Sequence, residues 1–396
     1  MRIVFVDTTL DESFIGGGHL FLPGLMKGLV ERGHDVHLVT KGEPDARLQP
    51  LIAASKATVH IRPWRKKGLV QDLAPVFNNW LNTLQPDVYV ISTSADIGWV
   101  VLPYLNPRIA TYTLGHNNEE TYYLPLRHYH PFITTAVGVS EEICDQYKQH
   151  CHMAAGDVDW IPYGVEVASE LSPTSKNGPL RLIYVGRIEE GQKRISDLIA
   201  IVIRLRERSI DFRLKIVGDG PEMPALKQQL APEIASGSVE ATGWLQKAEV
   251  IEQLRSADIF LLTSAFEGFS IALTEAMANG CCPLVTDIKS GNQQLITPDE
   301  NGFLLPVGDI AGFADTLSEL SENREKLSIL RNKAWQKGAQ FGTGRMVSAY
   351  EESFQKAMQK CKSHPRVPDA GFPLMSTCVS RYPNWLRRIK LLLKNN

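Results

Sequence analysis

The sequence predicts an α/β protein of two domains, each wound around a parallel sheet. Two patterns carry that expectation. Short apolar runs, such as Ile259 to Leu262, read as buried strands and alternate with longer helical stretches. Polar or glycine-bearing turns follow the runs at once, as in doubly wound sheets. Length and composition agree with this. A chain of 396 residues suffices for two or three domains with cores of their own, and 43% hydrophobic with 22% charged residues is ordinary for a soluble globular protein. A net charge of -2 gives no sign of nucleic-acid binding.

Taken in order, Arg2 to Val6 is a strand, Gly16-Gly17-Gly18-His19 opens a helix over Leu20 to Arg32, and Gly33 closes it before the strand Asp35 to Thr40. Asp87 to Ser92, Arg108 to Leu114 and Ala136 to Ser140 read as further strands, and Ser140 caps a helix over Glu141 to His150. Residues 167–179 are polar, rich in Pro, Ser and Gly, and without periodicity, so they read as a linker. Beyond it, Leu180 to Val185, Phe212 to Val217, Ile259 to Leu262 and Cys282 to Thr286 are strands separated by helical stretches. Two such domains leave the carboxyl ends of their strands facing a cleft, where open α/β sheets bind ligands.

The most specific chemistry lies in residues 261–280. A strand is followed by a short turn and a helix that Ser270 or Thr274 can open and Gly280 ends. Glu267 stands before the helix and Glu275 within it. A helix start presents free N–H groups suited to phosphate, and a carboxylate accepts two hydrogen bonds from paired sugar hydroxyls. Arg187 and Lys193 lie in a glycine-bearing loop after the strand ending at Val185, placed to meet a diphosphate from two directions. The competing reading of these cations is a solvated cluster with Arg194.

Glu267, seven intervening residues, Glu275 and then Ala276-Met277-Ala278 with Gly280 resemble the paired-glutamate motif of glycosyltransferase family 4, the retaining group 1 enzymes of GT-B fold. The resemblance covers nearly all of residues 1–361 and is most specific over 184–305. It implies two Rossmann-like doubly wound domains facing a central cleft, with Glu267 toward the donor sugar and Glu275 toward the ribose. Gly268, Phe269 and Ser270 of the intervening turn then count among the donor-binding positions. Gly186-Arg187 and Lys193 match the family's Gly-Arg…Lys element, with Arg187 and Lys193 stabilising the departing diphosphate. His116 stands where many members carry a histidine near the donor sugar, against the alternative of a surface loop residue. Gly17 and Gly18 resemble the N-terminal glycine loop, against the alternative of a plain tight turn; Gly218 matches a turn of structural role near the nucleotide, and Gly243 with Leu245 the passage beside the base. Ser290-Gly291-Asn292-Gln293-Gln294 departs from the usual Gly-Gly-x-x-Glu, which puts sugar contacts at that loop in doubt.

Rival constellations are weaker. The glycines at 16–18 lack the third glycine of a dinucleotide fingerprint, and Lys41 stands where an acidic ribose ligand belongs. Asp157-Val158-Asp159 has the form of a metal-binding triplet in another glycosyltransferase fold, but reads here as the approach to a strand. No metal is expected, and Arg187 and Lys193 take its place. His128 with His130, and His150-Cys151-His152, lack a full ligand set. No cofactor is expected; the nucleotide-diphosphate sugar is a co-substrate.

The domains expected are 1–166, on the acceptor side, and 180–343, on the donor side. A helix over 344–361 crosses back to the first domain, and 362–396 forms a tail. Arg366 to Thr377 reads as irregular and mobile, and Asn384 to Lys394 as a short basic amphipathic helix that either lies on an anionic bilayer or docks on the protein. Scattered cysteines point to a reducing compartment, and no segment spans a bilayer, so the expected location is cytoplasmic, peripheral to the inner membrane surface if the tail binds lipid. The function implied is transfer of a sugar to an acceptor hydroxyl of a glycan, a lipid-linked glycan or a small molecule. A catalytically silent sugar-nucleotide-binding protein of the same fold is the alternative.

Overall fold

A computed structural model describes residues 1–10, 17–64, 69–92, 96–174 and 177–375. Gly16 and the basic segment Asn384 to Lys394 lie outside them. The chain divides into two compact units, Met1–Gly164 with Thr343–Asn396 and Val165–Gly342.

The first unit is built on strands β1 (Arg2–Val6), β2 (Asp35–Thr40), β3 (Thr58–Ile61), β4 (Val88–Ile91), β5 (Ala110–Gly115), β6 (Thr135–Gly138) and β7 (Val158–Trp160). They pair in parallel in the order β3-β2-β1-β4-β5-β6-β7. Helices on both faces force the central strands to be apolar on both sides, and Ile3, Val4, Phe5 and Val6 are fully buried. The second unit repeats the plan with β8 (Leu180–Val185), β9 (Phe212–Val217), β10 (Val239–Gly243), β11 (Ile259–Leu262), β12 (Cys282–Thr286) and β13 (Phe303–Leu305), in the order β10-β9-β8-β11-β12-β13. Strand order reverses between β1 and β4 and again between β8 and β11. Those two points are where an open α/β sheet leaves a crevice at its carboxyl edge.

The four strands absent from the sequence reading, β3, β7, β10 and β13, are the four sheet edges. The triplet at 157–159 runs directly into β7. Asp159 lies within β7 and accepts from Ser353 Oγ at 2.5 Å, while Asp157 pairs with Lys360. Both carboxylates thus serve the packing of the last helix.

That helix, Thr343–Ser363, belongs to the first unit. It buries Met346, Val347, Tyr350, Phe354 and Ala357, a stripe at helical spacing. Tyr112 donates to Ser353 O at 2.7 Å, and a Cβ on Gly28 would stand 2.4 Å from Val347 Cγ2, so glycine there lets two helices approach. The segment after the helix is not the loose tail expected. Arg366 donates to Phe132 O and Ile109 O, Asp369 N to Pro103 O, and Met375 N to Tyr129 Oη. Phe372 packs edge-on to Phe132 at 4.9 Å. Three backbone carbonyls, the Tyr129 hydroxyl and one aromatic anchor hold it down.

The stretch expected as a linker lies along the second unit over its described part. Ala168 N donates to Ala278 O at 3.0 Å, Trp335 Nε1 to Ala168 O at 3.1 Å, and Arg331 Nη1 to Thr174 Oγ1 at 2.8 Å. Among the described residues no helix is long and apolar enough to cross a membrane. Cys144, Cys151, Cys281, Cys282 and Cys361 are buried free thiols.

Candidate active site

In the second unit the candidate side chains collect at the strand-order reversal. The loop after β8 is tied to the end of β11 by Thr263 Oγ1 donating to Lys193 O at 2.8 Å and Ala265 N donating to Gln192 O at 2.8 Å. Those bonds bring Lys193 Nζ onto Glu267 Oε1, with side chains only 13% and 8% exposed. Ser264 Oγ donates to the same oxygen at 2.7 Å. Gln192 Nε2 lies 3.4 Å from Glu267 Oε2, and Gln192 Oε1 accepts from Arg187. Arg187 also stands 3.8 Å from Glu189. Arg187, Gln192, Lys193 and Glu267 therefore form one polar network.

Glu275 is held separately. Ser270 caps the helix Ile271–Ala278, accepting from Leu273 N at 3.3 Å. Glu275, one turn in, is buried and ion-paired with Lys247. Each glutamate singled out from the sequence thus carries a lysine. Lys247, Gln192 and Ser264 were not singled out. Lys247 is the first residue of the helix Lys247–Ser256, after a capping box between Gln246 and Glu249 that fixes the turn behind β10.

Three of the glycines predicted at the site stand side by side. Gly186 N donates to Val217 O at 3.0 Å and Gly218 N to Gly243 O at 2.9 Å, which aligns the ends of β8, β9 and β10. Gly218 has φ +137°, and a Cβ there would fall 1.8 Å from Gly186 O. Only glycine permits that approach. Leu245 is half-buried beyond β10. Gly268 is buried and its carbonyl accepts from Gly291 N at 2.9 Å. Phe269 turns its ring into the core against Phe341, at 5.6 Å, so only its backbone lies at the turn. Next to Gly291, Asn292 is fully buried, and neither polar atom of its side chain has a hydrogen-bond partner among the described residues. Buried amides without a partner are uncommon in folded proteins.

His116 lies in the first unit, just past β5. Its Nδ1 is hydrogen-bonded to Tyr163 Oη at 2.8 Å, and the two rings stack with an interplanar angle of 3°. Its Nε2 is buried and without a partner among the described residues. Burial, and secondarily the nearby His19, pushes the imidazole pKa down to about 3, so the ring is neutral at physiological pH. Beside it runs a chain the sequence reading did not single out. Thr9 Oγ1 donates to the buried Asp7 at 2.9 Å and lies 2.8 Å from His19 Nε2. The helix expected from Leu20 begins at Gly17, so Gly17 and Gly18 form its first turn.

Comparison with known proteins bears on the family and the fold. Residues 15–169 match the family described as Glycosyltransferase Family 4, and residues 179–323 match Glycosyl transferases group 1. The lipopolysaccharide 1,6-galactosyltransferase of Escherichia coli K12 is 30% identical over 212 residues, 52% of this chain and 56% of that protein. The phosphatidyl-myo-inositol mannosyltransferase of Mycobacterium leprae is 26% identical over 343 residues, 82% of this chain and 88% of that protein. Aligned residues thus span only about half of the first relative's length. Among solved structures, Anabaena Alr3699/HepE in complex with UDP and glucose superposes with a TM-score of 0.73 at 18% identity, over 90% of this chain and 99% of that one. The chain belongs to the group 1, family 4 glycosyltransferases and has their GT-B fold.

Proposed function

We propose that this protein transfers a sugar from a nucleotide-diphosphate sugar to an acceptor hydroxyl, with retention of anomeric configuration, in the synthesis of a polysaccharide or glycolipid. The observation that carries the reading is the pairing of Lys193 with Glu267 and of Lys247 with Glu275 at one strand-order reversal, with Arg187 in the first network. Breaking a glycosidic bond to a diphosphate loads negative charge onto the leaving group, and fixed cations lower that barrier. Arg187 and Lys193 have this role, and no metal is required for it. Glu275 accepts the ribose hydroxyls and Glu267 orients the donor sugar. Gly186, Gly218 and Gly243 admit the nucleotide to the strand ends, and the backbone of Gly268, Phe269 and Ser270 meets the phosphates and sugar. The Asn292 amide offers a donor and an acceptor to the same ligand. His116, neutral and with Nε2 unengaged, receives a sugar hydroxyl. Attack on the same face, with the leaving diphosphate taking the acceptor's proton, accounts for retention without an enzymatic nucleophile.

The relatives named above act on lipopolysaccharide and on phosphatidyl-myo-inositol, which favours a glycolipid or polysaccharide acceptor. The test is a melting-temperature panel over nucleoside diphosphates and their sugars, since a ligand of the folded state raises apparent stability by mass action. It is followed by NMR of the product's anomeric proton. A donor that binds, is turned over and gives the donor's own anomer supports the reading. Tight binding with neither hydrolysis nor transfer identifies a silent binding protein instead. No stabilisation by any nucleotide or nucleotide sugar overturns the assignment altogether.

A further inference from the structure

A cavity of about 260 Å³ opens in the first unit, with Thr134 just before β6 and Asp157 just before β7 in its lining. It therefore sits at the amino edge of the sheet, whereas Asp7 and His116 follow the carboxyl ends of β1 and β5. Its size approaches the lower bound of small-molecule pockets, about 300 Å³. His130, His152, His364, Lys360 and Arg366 line it, against the carboxylate of Asp157. Lys360 and Asp157 neutralise each other. Arg366 has no ion-pair partner among the described residues. Its Nη1 donates to Phe132 O at 2.7 Å and its Nη2 to Ile109 O at 2.8 Å, while its Nε is buried without an acceptor.

Carbonyl oxygens carry only partial charge, so the guanidinium keeps its full charge in a partly desolvated place. Such cations are stable when an anion completes them. The imidazoles supply directed bonds. His130 engages Arg127 O through Nδ1 at 3.0 Å, and His364 engages Ser363 Oγ through Nδ1 at 3.0 Å, which leaves Nε2 of each ring for a ligand. The ring of His152 lies 5.1 Å from that of His130. Among the described residues these side chains do not converge as metal ligands do.

We propose that this cavity binds a phosphate group, which supplies the missing counter-charge to Arg366, accepts from Nε2–H of His364, and meets Nε2 of His130 by donating a P–OH to the neutral ring or by accepting from the doubly protonated one. The phosphate is either free or the headgroup of an anionic lipid. The chain beyond the cavity carries Arg381, Arg387, Arg388, Lys390 and Lys394, a composition that attracts an anionic bilayer.

The full-length chain is titrated with inorganic phosphate at constant ionic strength, with melting temperature as the readout. His130→Gln/His152→Gln and Arg187→Ala are run alongside, the latter to separate this cavity from the nucleotide site. Co-sedimentation with phosphatidylcholine vesicles, with and without phosphatidic acid, forms the second arm. The expected result is saturable stabilisation that persists in Arg187→Ala and weakens at least tenfold in the histidine variant. A matching tenfold loss of phosphatidic-acid vesicle binding in that variant assigns the phosphate to a lipid, and a loss confined to the soluble titration assigns it to the free ion. If the histidine variant matches the parent in both arms, or if only Arg187→Ala loses binding, the proposal is overturned.

Discussion

Lys193 Nζ and Glu267 Oε1 form an ion pair whose two side chains are nearly covered, at 13% and 8% exposure. Removing one member of such a pair strands the other charge in a poor solvent, at a cost of about 3 kcal/mol. Lys193→Ala should therefore lower the urea midpoint of the second unit. Adding Glu267→Gln to that variant should restore much of the loss, because no charge is then left unpaired. Simple addition of the two single effects would show that the pair is not coupled.

The second pair acts on affinity. Lys247→Met leaves Glu275 buried but free to turn, so the carboxylate loses its fixed orientation. Affinity for the nucleoside diphosphate should fall by roughly tenfold, about 1.4 kcal/mol. Calorimetric titration checks this, and turnover at saturating donor should change far less than KM.

Gly218→Ala is expected to be among the most damaging single changes in the second unit. A methyl group would meet Gly186 O at 1.8 Å while the backbone holds φ +137°. Steric conflict and left-handed strain together should cost more than about 3 kcal/mol. Soluble expression and the thermal midpoint report it, and a variant as stable as the parent would mean the strand ends can separate freely.

His116 should leave a signature in the pH dependence of stability. The folded protein holds the imidazole neutral down to about pH 3, whereas an unfolded chain protonates it near the ordinary value of 6.5. The unfolded state thus binds more protons between those limits. The contribution is complete above pH 6.5 and is lost as pH falls toward 3, by at most about 1.4 kcal/mol per pH unit. Between pH 6 and 4 the parent should lose up to about 2 kcal/mol more than His116→Asn. The histidine Cε1 resonance of His116 should also stay in its neutral position across that range.

The central strands were legible because burial on both faces demands unbroken apolar runs, as in Ile3 to Val6 and Ile259 to Leu262. Edges lack that constraint. Thr58–Ile61 leaves Val59 and Ile61 exposed at 37% and 43%, and Val158–Trp160 and Phe303–Leu305 are three residues each. Nothing in so short a half-exposed segment separates strand from loop. At the candidate site, Glu267, Glu275, Arg187 and Lys193 were marked by their place in turns after strands together with the resemblance to a family motif. Lys247, which packs beside Glu275 from a neighbouring helix, was not, because side-chain proximity between separate elements leaves no local pattern. Arg366 was missed for the same reason, since its acceptors lie more than 200 residues earlier in the chain.

The first unit takes its closing helix, Thr343–Ser363, from the far side of the second unit in the chain. Tyr112 therefore waits for Ser353, 241 residues later, and Gly28 waits still longer for Val347, before their contacts can form. The inserted unit has all of its strands and helices by Gly342 and is free to fold ahead of its host. Translation order is thus inverted relative to maturation order: the half that emerges first is completed last.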